Sequence, residues 1–167
     1  VKMLNVENKE ITTLIGNPKV RKSYQMPITC LKWKPLNSCE NGNSLLLVSD
    51  SLGIIYTWNP HTDELLHKFQ EEDNNGINWL EYSPDGSQFA TGGMDHNIRI
   101  YDDETKQIIM KLTGDTDVKH GHANRIFAIK YSKENPNILV SGGWDNTLLI
   151  WDVRKKSPIS HVLGPNM

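Results

Sequence analysis

Four side chains toward the C-terminal end of this 167-residue sequence could do chemistry together: His122, Ser141, Asp145 and Trp151. A hydroxyl, an imidazole and a carboxylate are the parts of a nucleophilic hydrolase, in which the ring takes the hydroxyl proton and the carboxylate orients the ring. Ser141, however, sits in Val140-Ser141-Gly142-Gly143, which is not the G-x-S-x-G turn that exposes such a nucleophile. A second group, Asp115, Asp117, His120 and His122, places four metal-ligand types within eight positions. It has none of the fixed spacings that mark a metal motif. Gly92-Gly93 and Gly142-Gly143 invite a phosphate-cradle reading, but neither is followed by Lys-Ser/Thr and a helix start. Tight turns explain these pairs better.

Two basic clusters, Lys19, Arg21, Lys22 and Arg154, Lys155, Lys156, could meet phosphate. Acidic runs Glu71-Glu72-Asp73 and Asp102-Asp103-Glu104 offset them, and 18 Lys+Arg against 20 Asp+Glu give a net charge of -2. That balance excludes a strongly basic arm, so nucleic acid is not the expected partner. No apolar run approaches the ~20 residues needed to span a bilayer, and no membrane partner is expected. The two cysteines cannot form a disulfide framework and fit a reducing compartment. Cys30 reads as a buried strand thiol; Cys39, in a polar loop, has no assigned role. The expected location is cytoplasmic, with cytoskeletal, ciliary and nuclear assemblies all compatible.

The elements that must position these residues come from an internal repeat. Ile28-Thr29-Cys30-Leu31-Lys32-Trp33 matches Ile77-Asn78-Trp79-Leu80-Glu81-Tyr82 and Ile126-Phe127-Ala128-Ile129-Lys130-Tyr131, each 49 residues after the last. These runs are short, end in an aromatic and precede turn signals such as Pro84-Asp85-Gly86, so they read as strands. Second strands follow at Leu45–Ser49, Gln88–Gly92 and Ile138–Gly142. Third strands are expected at Ile54–Trp58, Asn97–Tyr101 and Thr147–Trp151, and fourth strands at Glu64–Phe69, Gln107–Leu112 and Pro158–Leu163. Four short antiparallel strands per unit make the blade of a β-propeller, an all-β architecture. Val1–Val6 and Lys9–Ile15 align with a third and fourth strand. The expected divisions are therefore 1–23 as the end of a preceding blade, then 24–70, 71–113 and 114–167 as three blades. Fourteen strands fall short of a ring of roughly 4–8 blades. A longer chain, or a partner in a multi-subunit complex, is expected to complete it.

The sequence resembles the WD-repeat family. The last unit carries Gly121-His122, Ser141-Gly142-Gly143-Trp144-Asp145-Asn146-Thr147 and Ile150-Trp151-Asp152. The middle unit keeps Thr91-Gly92-Gly93-Met94-Asp95 and has Tyr101-Asp102 for Trp-Asp, with Glu72 and Asp73 where Gly-His would stand. The first unit keeps Trp58 but lacks the turn Asp, having Leu52 there. The resemblance implies that Asp145, His122, Ser141 and Trp151 form one buried hydrogen-bond chain, with Thr91, Asp95 and Tyr101 as a partial version. It also implies a ligand face made by the turns between second and third strands and by the starts of the first strands. Trp144, Phe127, Arg125, Met94 and Asn78 stand at those positions, with the composition of a protein-binding hot spot; for Trp144 a second reading, that it fills the gap between adjacent blades, stays equally open.

The reading is a non-enzymatic scaffold segment that docks a protein or peptide on its loop face, with no cofactor. Two other classes stay open at this point. One is a metal-dependent hydrolase using the 115–122 loop. The other is a nucleic-acid or phosphate-binding module using the Arg154–Lys156 turn.

Overall fold

Short β-branched and aromatic runs separated by Asp, Asn and Gly turns fold as antiparallel strands joined by tight connections. The computed structural model describes residues 2–4, 9–13, 26–36, 44–113 and 121–164. A two-stranded ladder, β1 (Lys2–Leu4) with β2 (Ile11–Thr13), precedes three four-stranded sheets. The first sheet is β3 (Ile28–Trp33), β4 (Leu46–Asp50), β5 (Ile54–Asn59) and β6 (Glu64–Gln70). The second is β7 (Ile77–Tyr82), β8 (Gln88–Gly93), β9 (Ile98–Asp102) and β10 (Ile108–Leu112). The third is β11 (Ile126–Tyr131), β12 (Ile138–Gly143), β13 (Thr147–Asp152) and β14 (Pro158–Leu163). Each sheet is a meander in chain order, and several strand ends differ from the sequence expectation by one residue. Among the described residues no helix is long and apolar enough to cross a membrane.

The sheets stand side by side through their first strands, β3 against β7 and β7 against β11. Alternation along each strand sends one set of side chains to the preceding sheet and the other to the next. Cys30, Leu47 and Ile55 of the first sheet therefore meet Leu80, Tyr82, Phe89 and Tyr101 of the second. Ala90, Ile98, Ile100 and Leu112 of the second meet Ile129, Leu139, Leu149 and Trp151 of the third. Phe89 stacks on Tyr101 with ring centroids 5.0 Å apart. The Cys30 thiol is buried at this contact, 3.6 Å from the Leu80 carbonyl, and burial raises its pKa. The core lies between the sheets, as the propeller reading requires, and the three sheets form an arc that does not close into a ring.

Two sequence expectations are corrected here. Gly93 and Gly143 are not in the turns; with Gly92 and Gly142, already expected in the second strands, they end β8 and β12. Their requirement is close approach: a Cβ on Gly93 would lie 2.1 Å from the Gly76 carbonyl oxygen, and one on Gly143 would lie 2.6 Å from His122 Nδ1. The left-handed turn positions are instead His96 (φ 67), Asn146 (φ 58) and Gly53 (φ 82). The first sheet is also not without its turn carboxylate. Asp50, two positions before Leu52, accepts from the Leu52 and Ile54 backbone N–H groups and from the Tyr56 hydroxyl, each at 3.0 Å. The N–H at the start of the third strand is served by a carboxylate in each four-stranded sheet, Asp50 for Ile54, Asp95 for Asn97 and Asp145 for Thr147.

Candidate functional site

The third sheet brings His122, Ser141, Asp145 and Trp151 into one chain. His122 Nδ1 lies 2.9 Å from Asp145 Oδ2, and Nε2 lies 2.7 Å from Ser141 Oγ. The Trp151 indole N–H donates to Ser141 Oγ at 2.8 Å. An indole can only donate, so Ser141 accepts from it and passes its own proton toward Nε2. A neutral imidazole with its hydrogen on Nδ1 then satisfies every member. Burial lowers the His122 pKa, opposed by the neighbouring Asp145. Burial alone would raise that of Asp145, but the Thr147 hydroxyl, the Ala123 N–H and His122 hold it below the usual value.

Distances of 2.7 and 2.9 Å along a Ser–His–Asp line match those of a hydrolytic triad. The surroundings do not. Ser141 is 1% exposed, and its oxygen is capped by an indole that is itself fully buried. A nucleophile must reach an electrophilic carbon, and here no face of the hydroxyl is open to one. The chain instead ties the 122 loop, β12, β13 and the 144–147 turn together.

In the second sheet, Thr91 and Tyr101 meet a residue the sequence reading missed. Glu71, 1% exposed, accepts from the Thr91 hydroxyl, from Tyr101 Oη at 3.2 Å and from Asn75 Nδ2 at 2.6 Å. It takes the place given to Glu72 and Asp73, because the short 3-10 turn Glu72–Asn74 shifts the chain before it re-enters the sheet. Asp95 turns away from this group toward Arg99, whose Nη2 donates to Asp95 Oδ2 at 2.6 Å and Asp73 Oδ2 at 3.2 Å. Arg99 Nη1 lies 3.7 Å from Glu71 Oε2, and the Arg99 side chain is 0% exposed. Burial raises the Glu71 pKa despite these donors and the nearby guanidinium. The sequence carries no local signal for this burial, because Ile98-Arg99-Ile100 reads equally well as a strand with its cation on the solvent face.

The loop face is set by a recurring backbone device. The first strand of each four-stranded sheet carries the same register shift, between Ile28 and Cys30, Ile77 and Trp79, and Ile126 and Ala128. Thr29, Asn78 and Phe127 are the extra residues of these bulges, which re-aim their side chains out of the ladder. The next turn is then tied back to the strand start: Ser51 N–H to Pro27 O, Met94 N–H to Gly76 O, Trp144 N–H to Arg125 O. With Asp145 held inward, Trp144 is 64% exposed, and its ring meets Phe127 edge-on at 5.5 Å. Trp144, Phe127 and Arg125 are thus brought together in the open. Met94, also exposed, occupies the equivalent turn of the second sheet. Asn78, half-buried, donates from Nδ2 to the Ile126 carbonyl at 3.0 Å and bridges the second and third sheets.

Residues 115–117 and 120, the Lys19–Lys22 cluster and Cys39 lie outside the described residues. Among the described residues no three His, Cys, Asp or Glu side chains converge to hold a metal ion. In the 154–156 turn, Arg154 is committed to Asp152 through Nε at 2.8 Å and Nη2 at 2.7 Å, leaving that cluster without a free guanidinium.

Residues 63–102 and 115–152 match the family model described as WD domain, G-beta repeat. A ribosome biogenesis protein, the WDR12 homolog of Drosophila yakuba, is 25% identical over 157 residues, covering 88% of this chain and 35% of its own length. WD repeat-containing protein 1 of Rattus norvegicus is 37% identical over 84 residues, covering 50% of this chain and 13% of its own. The solved RRP9 WD40 repeats superpose with a TM-score of 0.69 at 20% identity, over 86% of this chain and 40% of that one. The chain therefore spans about a third or less of the curated relatives it matches.

Proposed function

We propose that this chain, a WD-repeat chain by its motifs, fold and relatives, is a non-catalytic scaffold segment that docks a protein or peptide on its loop face. The observation that carries the reading is the Trp144–Phe127 pair, held open above the buried Asp145–His122–Ser141–Trp151 network. An exposed aromatic pair beside Arg125, on a backbone fixed by a bulge and a turn hydrogen bond, is a rigid apolar anchor with a cationic rim. Little backbone movement on binding is expected from such a surface. Ribosome biogenesis proteins among the relatives support a partner within an RNA–protein assembly. Those names lend no support to the cytoplasmic or cytoskeletal setting expected from the sequence.

Peptide selection on the immobilised chain, followed by affinity measurement on Trp144→Ala, checks this reading. Selected peptides should bind the variant about tenfold or more weakly, the loss ordinary for a central aromatic anchor. Its thermal midpoint should stay nearly unchanged, because the indole is mostly in solvent. Equal affinity, or a large drop in the midpoint, would overturn the assignment.

A further inference from the structure

The outermost strand of the third sheet differs from its counterparts. β6 carries Glu64 and Lys68, and β10 carries Lys111. Such charges keep a sheet edge from pairing with another chain. β14, Pro158-Ile159-Ser160-His161-Val162-Leu163, has no Asp, Glu, Lys or Arg, and its Ile159, Val162 and Leu163 are at least half exposed. β14 ends its sheet and pairs with β13 alone. The Gly164 N–H donates to the Asn146 carbonyl at 2.6 Å, which fixes the phase of the ladder. His161 and Leu163, opposite Leu149 and Thr147, therefore turn their N–H and C=O groups away from β13. Among the described residues no backbone group meets them there. A cleft of about 310 Å³ opens beside the strand, lined by Gly121, Thr147, Leu149, Pro158 and His161. Thr147, Leu149 and His161 share one face of the sheet, so a strand added to β14 would set every second side chain over this cleft. Lys155 and Lys156 stand exposed just before the Pro158 end, while Arg154 is held by Asp152.

Unpaired ladder groups flanked by apolar side chains are matched by an extended backbone and not by a helix. We infer that β14 is a docking edge for an extended, apolar segment of a protein partner, added antiparallel and carrying acidic residues at its C-terminal end. That direction brings the acidic end to Lys155 and Lys156. A second copy of this chain is the poorer occupant. Antiparallel pairing of two copies would bring to those lysines the sequence after Leu163, Gly164-Pro165-Asn166-Met167, which has no acidic side chain and a proline that cannot donate. The edge uses none of the loop-face residues.

Fluorescence-anisotropy titration of the chain with a labelled peptide of alternating valine and threonine, ending in two aspartates, tests the edge. With valines over the cleft, the valine N–H groups face β14 and the threonine N–H groups face away. N-methylation of the valine amides should weaken binding at least about tenfold, the scale of two lost hydrogen bonds, and N-methylation of the threonine amides should not. His161→Pro, which removes an outward donor and no bond to β13, should cost a similar factor. Lys155→Glu with Lys156→Glu should weaken binding about threefold. In the complex the His161 and Leu163 amides should exchange more slowly. Trp144→Ala should leave all of this intact, so this edge and the loop face fail or stand independently. Equal binding of the two methylated peptides, which needs no variant to fold, would overturn the inference. So would unaltered affinity in a folded His161→Pro chain, or a dimer that this substitution dissociates.

Discussion

Equivalent places in the second and third sheets are filled by opposite chemistry. In β11–β14 a neutral imidazole joins Asp145 to Ser141 and Trp151. In β7–β10 the same service is divided between Glu71, which gathers Thr91, Tyr101 and Asn75, and Arg99, which gathers Asp95 and Asp73. Both arrangements pair the buried donors and acceptors that β8 and β12 bring between the sheets. The difference is in what happens when one member is removed. Removing the Ser141 hydroxyl from the first costs hydrogen bonds to a neutral ring and an indole; removing Arg99 from the second leaves buried carboxylates without their cation.

The sharpest way to break the comparison is Arg99→Leu, which gives β9 the residue that β13 has at Leu149. Glu71 and Asp95 would lose their buried cation, and stability should fall by about 3–5 kcal/mol in a denaturant titration. Adding Glu71→Gln should recover part of the loss by removing one of the stranded charges. A fall as small as that of a surface substitution would show that water already compensates the group.

Ser141→Ala should cost less, about 1–3 kcal/mol, because it leaves His122 Nε2 and the Trp151 N–H unpaired without stranding a charge. If its cost equals that of Arg99→Leu, the distinction between the two sheets fails.

The smallest effect is one of pH, and its sign differs between sheets. The His122 pKa is lowered from 6.5 in the fold, so the unfolded chain binds that proton more readily. Its contribution is complete above 6.5 and is lost as pH falls through the folded value. The Glu71 pKa is raised from 4.5, so the folded chain holds that proton more readily. The burial penalty on its charge is relieved as pH falls through the folded value toward 4.5. Acidifying from pH 6.5 should therefore weaken amide-exchange protection in β12 while preserving or raising it in β8. Parallel changes in both strands would contradict the assignment.

Much of the fold was legible in the sequence. The 49-residue repeat of apolar runs ending in Trp33, Tyr82 and Tyr131 located the first strand of each four-stranded sheet, and turn residues bounded the other strands of those sheets to within about one position. The His122–Ser141–Asp145–Trp151 group was legible too, through its resemblance to a known pattern. Glu71 was not, because its place depends on the backbone path of the Glu72–Asn74 turn, with Asp73 at φ 61 and Asn74 at φ 50. Asn78 makes a bridge that was not legible, for a related reason. Its position marks the loop face, but the carbonyl that claims its amide belongs to a residue 48 positions later.

Sequence by itself determined the strand order, the repeat and the residue types at each turn, since these follow from local periodicity and turn chemistry. Only the tertiary structure decided which of those residues are available to a partner. Ser141 and Trp144 lie three residues apart in one run. The first is sealed beneath a buried indole, and the second stands 64% exposed beside Phe127. The pairing of Glu81 with Lys32 and Lys130 likewise exists only because three strands, each 49 residues apart, are stacked on the next. Burial and charge balance are properties of neighbouring sheets, and no window of sequence contains both sides.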